Sequence, residues 1–198
     1  MSEHSAETST LSRPAAAGLM VGGFVALLYV IELIDTVASG GSTATGSHLA
    51  SFAGLDGIVF APLLHGGWAH LIGNTVPLLV LGFLIGLSGV RTWVQVTVIV
   101  WIFAGVGVSL FGGGNTNHLG ASTLVFGWLA YLLVRGLFNR SLGQIMLGVV
   151  VFAVYGSVLW GVLPGRPGVS WEGHLFGALG GALAAWLLSE RDVPARSA

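Results

Sequence analysis

Long apolar blocks, cut by short polar or charged stretches, organise this chain. A helix crossing a hydrocarbon core of about 30 Å at 1.5 Å per residue needs roughly 20 apolar residues, so the charged residues serve as rulers. Residues 15–34 form one span, marked only by Glu32 near its far end. Residues 36–51 are polar and Gly-rich and read as a loop outside the hydrocarbon. No charge occurs from Gly57 to Val90, and the span is placed at about 65–89, its helical part starting near His65 or Ala69. The uncharged run from Thr92 to Val134 is twice what one crossing needs, and Gly112-Gly113-Gly114-Asn115-Thr116-Asn117 breaks it into spans at 92–111 and 121–134. Two more follow: 141–163, ended by Pro164-Gly165-Arg166-Pro167, and 173–189. The pattern predicts an all-α polytopic membrane protein, a bundle of six transmembrane helices. Residues 1–13 are expected to be a disordered cytoplasmic tail, 14–190 the membrane domain and 191–198 a second cytoplasmic tail.

Composition agrees with that pattern. Of 198 residues 54% are hydrophobic and 8% charged, against about 25% charged in a soluble domain. Arg13, Arg91, Arg135, Arg140, Arg191 and Arg196 fall on one side of the six-span arrangement and Arg166 alone on the other. Cytoplasmic loops hold the excess of positive charge, so both termini are assigned to the cytoplasm of a cell-membrane protein. The first span is too long for a signal-peptide core and its leader carries Glu3 and Glu7, so it is read as a retained helix. A net charge of -1 argues against nucleic acid as a partner. The absence of Cys removes disulfides and thiolate chemistry, leaving Ser, His, Asn and carboxylates.

Polar side chains inside a bilayer are costly and usually face a bundle interior or a wet cavity. Here they are His65, His70, Asn74, Gln95, His118, Ser122 and His174. Ser122 lies 13 residues before Arg135, about 20 Å of helix; Asn74 and His174 each precede an Arg by 17, about 25 Å. Three spans therefore bring Ser122, His174, His70 and Asn74 to similar depths in the outer half of the membrane. His70 and Asn74, four apart, share a helix face, while His65 lies about 140° round from His70. Gly120-Ala121-Ser122-Thr123 opens a helix after a Gly-rich loop, where free backbone N–H groups favour a developing negative charge. His174 precedes Gly177 and Gly181, a small-residue stripe that lets another helix approach closely and bring a serine within hydrogen-bond reach. That set contains a nucleophile, a base and two candidate oxyanion donors.

The segments His65-Gly-Gly-Trp-Ala-His70-Leu-Ile-Gly-Asn74, Gly120-Ala-Ser122 and His174-Leu-Phe-Gly177-Ala-Leu-Gly-Gly181 resemble the rhomboid intramembrane serine proteases, over about residues 15–190. The resemblance implies a Ser–His dyad with Ser122 as nucleophile and His174 as general base. It implies an oxyanion hole of His70, Asn74 and the Ser122 backbone N–H, with His65 supporting it and Phe126 stacking on the catalytic imidazole. The expected substrates are single-span membrane proteins reached through the lipid bilayer, with no cofactor. Family members usually carry Gly after the serine, where this chain has Thr123; a β-branched neighbour there narrows the site or alters the helix start.

A serine in a membrane helix is often packing glue, and a lone histidine often satisfies a buried partner. Zinc is not expected at His65, His70 and His174, because HGGWAH lacks both the one-turn His spacing and the Glu of an HExxH site. Gly82 and Gly86 read as helix-packing positions and Glu172 as a cap of the last span. Glu32 and Asp35 are expected to be wet, and His4, His48 and His118 are given no role. Two other functions fit parts of the pattern: a catalytically inactive rhomboid-like protein that binds membrane clients, and a small transporter, for which no internal repeat is found.

Overall fold

The computed structural model describes residues 11–38, 55–112, 120–165 and 170–189, and among these there is no strand. The helices are α1 (Arg13–Ala38), α2 (Leu55–Phe60), α3 (Trp68–Gly86), α4 (Val90–Phe111), α5 (Ser122–Phe138), α6 (Leu142–Tyr155) and α7 (Trp171–Leu187), with 3₁₀ segments at Ala61–Leu63 and Gly156–Val162. Four stretches are long and apolar enough to cross a membrane: Arg13–Ala38, Trp68–Gly86, Val90–Phe111 and Leu142–Val162. The molecule is a helical membrane bundle.

α5 is its centre. Every residue from Leu124 to Leu132 is buried, as expected for a helix that is apolar on all sides. It packs against α3, α4, α6 and α7. It is only 17 residues long, and its first residue, Ser122, is half-buried next to the fully buried Ala121. α1 and α4 instead bury one stripe each and leave the rest apolar and exposed, as lipid-facing helices do.

Glycines set the close approaches. A Cβ added to Gly181 would collide with the Gly127 carbonyl, and one added to Gly177 with the Thr123 carbonyl, so α5 and α7 touch backbone to backbone. Gly86 faces Ala17, and Gly82 lies between Trp128 and Val21, which makes both of them packing positions between α3 and its neighbours. Phe24, Trp93 and Trp128 fill the space beside Gly82, with ring centroids 5.7 Å apart for Phe24–Trp93 and 5.5 Å for Trp93–Trp128.

Several details differ from the reading of the sequence. The short α2 and the 3₁₀ turn after it were not expected, and of the two starts offered for α3 the structure has the later, at Trp68. The fifth span is not one α-helix: after Tyr155 it tightens into a 3₁₀ segment. Glu32 and Asp35 are not wet but 4% and 8% exposed. Both continue the inward stripe Ala17, Val21, Val25 and Leu28, because α1 stays helical to Ala38 and its buried face runs on past Ile34. Arg135 is likewise buried; it donates from Nη1 to Ser88 Oγ at 2.8 Å and lies over the Tyr131 ring, tying the end of α5 to the α3–α4 turn. His4, His48, His118, Arg166, Arg191 and Arg196 lie outside the described residues.

Candidate active site

The start of α5 is built by three unrelated pieces of chain. Gly120 has φ +115°, and its N–H donates to the Ala61 carbonyl at 3.0 Å. A Cβ there would lie 2.7 Å from His70 Cε1, so glycine is required both by the dihedral and by the ring pressed against it. The next N–H, of Ala121, donates to His65 Nε2 at 3.3 Å. His65 is 1% exposed and sits in the loop before α3. Burial, with His70 edge-on at 5.5 Å, pushes its imidazole down to about 4, so it is neutral at pH 7 and able to accept that bond.

Ser122 follows as the first residue of α5, at the end where backbone N–H groups lack helical partners. Opposite it, α7 begins at an N-cap, Ser170, whose hydroxyl accepts from the Gly173 N–H at 3.1 Å. The cap is Ser170 and not Glu172, which is buried in the first turn with Oε2 unpartnered. The glycine contact between α5 and α7 then sets the side chains above it. His174 Nε2 lies 3.0 Å from Ser122 Oγ. The His174 ring stacks on Phe126, centroids 4.0 Å apart and planes 9° from parallel. His174 Nδ1 is 2.9 Å from the Gly161 carbonyl oxygen in the 3₁₀ segment after α6.

On α3, His70 and Asn74 are one turn apart. Asn74 is 8% exposed and its Nδ2 has no hydrogen-bond partner. A buried, unused amide donor is costly in a finished core, so its presence at this level suits a group that is satisfied only when a ligand oxygen arrives. Around Ser122 the arrangement offers a hydroxyl in contact with an imidazole and the free N–H groups of a helix start, features an acyl-transfer site requires.

Of the residues singled out in the sequence, Ser122 and Phe126 both touch His174, and His65, His70 and Gly120 form the adjoining wall. Gly177 and Gly181 lie in the α5–α7 seam. Gly161 was missed. Its contribution is a backbone carbonyl, which every residue has, so no residue type announces it; the Ala121 N–H went unnoticed for the same reason. Among the described residues no three His, Asp or Glu side chains are grouped as a metal site.

The family model for the rhomboid domain matches residues 53–191. Proteins described as uncharacterized in Mycobacterium tuberculosis and Mycobacterium bovis are each 48% identical over 200 residues, covering 96% of this chain and 83% of the relative. An uncharacterized protein of Mycobacterium leprae is 47% identical over 199 residues, covering 96% of this chain and 79% of the relative. No solved structure matches.

Proposed function

This chain belongs to the rhomboid family, and from that premise we propose that it is a serine endopeptidase cutting transmembrane segments of other membrane proteins. The observation that carries the reading is the 3.0 Å contact between Ser122 Oγ and His174 Nε2 at the half-buried start of α5. In the proposed reaction His174 takes the Ser122 proton as Oγ attacks the scissile carbonyl. His70, the Asn74 amide and the Ser122 backbone N–H hold the tetrahedral oxyanion. His174 then gives its proton to the departing amine, and water, activated by the same imidazole, hydrolyses the acyl-enzyme.

Residues 14–190 form the working unit in this reading. The substrate is a single-span helix arriving from lipid. Its carbonyls are engaged in i→i−4 bonds, so cleavage requires local unwinding, favoured by Gly, Pro or other weak helix formers near the cut. Support for an orientation comes from Arg13 at the start of α1, Arg91 at the start of α4, and Arg135 and Arg140 around the α5–α6 turn, at the opposite end of α5 from Ser122. The positive-inside tendency makes that end, and both termini, cytoplasmic in a cell membrane, with the site opening to the opposite side.

Reconstitution with a panel of single-span substrates tests the proposal. Wild type should release two fragments, and Ser122→Ala and His174→Ala should release none. A fluorophosphonate should label wild type and not Ser122→Ala. Client binding without cleavage in wild type points to an inactive relative, and solute flux that survives Ser122→Ala points to a transporter.

A further inference from the structure

Both ring nitrogens of His174 are engaged: Nε2 with Ser122 Oγ at 3.0 Å and Nδ1 with the Gly161 carbonyl oxygen at 2.9 Å. A carbonyl oxygen only accepts, so the second contact puts the proton on Nδ1 and leaves the Nε2 lone pair facing the serine hydroxyl. In a Ser-His-Asp site a buried carboxylate does this, and setting the wrong tautomer lowers kcat by about 10⁴. Among the described residues no side-chain acid does so. Glu172, two residues before His174, points about 160° away round α7, and its Oε2 has no partner.

The contact also depends on residue 161 having no side chain. A Cβ there would lie 2.7 Å from Phe126 Cζ and 3.2 Å from His174 Nδ1. The imidazole is therefore held on its face by Phe126 and at its edge by a backbone that fits only as glycine. That backbone belongs to the 3₁₀ segment Gly156–Val162, closed by the Leu163 N–H donating to the Trp160 carbonyl at 3.2 Å. It continues α6, whose Met146, Val149, Val150, Phe152 and Val154 are exposed toward lipid. The placement of α6 thus reaches the base through one hydrogen bond.

We propose that the Gly161 carbonyl is the positioning group of the base, fixing His174 as the Nδ1–H tautomer where a triad would use an acid. Its catalytic consequence rests on the Ser122–His174 hydrolase reading; the tautomer itself does not. A neutral carbonyl stabilises an imidazolium less than a carboxylate does, and it is set by main-chain position instead of a side-chain rotamer.

The test replaces Val162 by its α-hydroxy acid analogue, so that the linkage after Gly161 becomes an ester. An ester carbonyl is a weaker acceptor, and no side chain changes. The same replacement at Trp160, which weakens the Leu159 carbonyl instead, is the control for disturbing the 3₁₀ turn. With ring-¹⁵N histidine in nanodiscs, His174 is assigned by the signals lost in His174→Gln. The unmodified protein should show one tautomer, protonated at Nδ1. The ester at 162 should show a tautomer mixture and the ester at 160 should not. For substrate cleavage, kcat should fall at least about tenfold with KM within about twofold, and the acid limb of the pH profile should move to lower pH. Unchanged His174 signals in the 162 ester, or equal changes in both esters, overturn the proposal. If the signals change as expected and wild type cleaves nothing, the positioning contact stands and the hydrolase reading falls.

Discussion

Thr123 lodges its side chain against the glycine face of α7: its Oγ1 lies 3.1 Å from the position a Cβ would take on Gly173, and its Cγ2 3.2 Å from that on Gly177. These two glycines flank His174, one on either side of it along α7. The β-branched residue beside Ser122 therefore fills the α5–α7 seam that sets the spacing of Ser122 and His174. Thr123→Gly should empty that seam. We expect a loss of roughly 1–2 kcal/mol, from the small cavity and the weaker helix start, together with lower turnover. Raised turnover at unchanged stability would show instead that Thr123 obstructs the site.

Phe126 supports the imidazole by stacking, which is worth about 0.5–1.5 kcal/mol beyond burial. Phe126→Leu should lower kcat by roughly three- to tenfold with KM little changed, and Phe126→Tyr should retain most of the activity. Equal kcat in Phe126→Leu and wild type, measured on one reconstituted substrate, would remove any catalytic part for the ring.

Asn74 separates stability from function. Its Nδ2 is buried and unpartnered, so Asn74→Ala should leave the fold as stable as before or more so, by up to about 1–3 kcal/mol. The same change, like His70→Ala, should lower turnover by up to about 10²–10³, since an oxyanion donor contributes roughly 2.7–4 kcal/mol to the transition state. Steric-trapping stability and cleavage rate, read on the same samples, check both halves. Loss of both together would mean that Asn74 is a structural residue.

Glycines of one spacing should behave in opposite ways. Gly181→Ala puts a methyl onto the Gly127 carbonyl and should cost at least about 1–3 kcal/mol and most of the activity. Gly22→Ala, on α1, meets nothing within 4 Å and should be neutral or stabilising by up to about 1 kcal/mol. Similar destabilisation by both would contradict the packing described for α5 and α7.

His65 gives the protein an acid-sensitive joint. Its folded-state value, about 4, lies below the ordinary 6.5, so protons bind the unfolded chain more readily. The stability it contributes is complete above about pH 6.5 and is lost as pH falls toward 4. A melting temperature that declines over this window in wild type, and less steeply in His65→Gln, is the expected result. Parallel declines in the two proteins would assign the acid sensitivity elsewhere.

Much of this molecule was readable in one dimension because the bilayer is a severe solvent. Hydrocarbon requires long apolar helices and makes each polar residue within them conspicuous, so the bundle and the candidates Ser122, His174, His70 and Asn74 stand out from linear spacing alone. Helix period placed His70 and Asn74 on one face, and turn chemistry put Ser122 at a helix start. The same reasoning misjudged Glu32 and Asp35, because a charge near the end of a span reads as wet whether or not a neighbouring helix covers it.

Tertiary structure decided what depends on which surfaces meet. Gly18 and Gly22 have the same four-residue spacing as Gly177 and Gly181, yet only the α7 pair has a backbone against it. From the sequence Thr123 either narrows the site or alters the helix start; packing shows its side chain against Gly173 and Gly177. The Gly161 carbonyl, like the Ala121 N–H held by His65, belongs to the main chain, which carries the same groups at nearly every position. Residue identity specifies side-chain chemistry and helix-forming blocks; which backbone groups remain unpaired, and what they face, is fixed only when the helices pack.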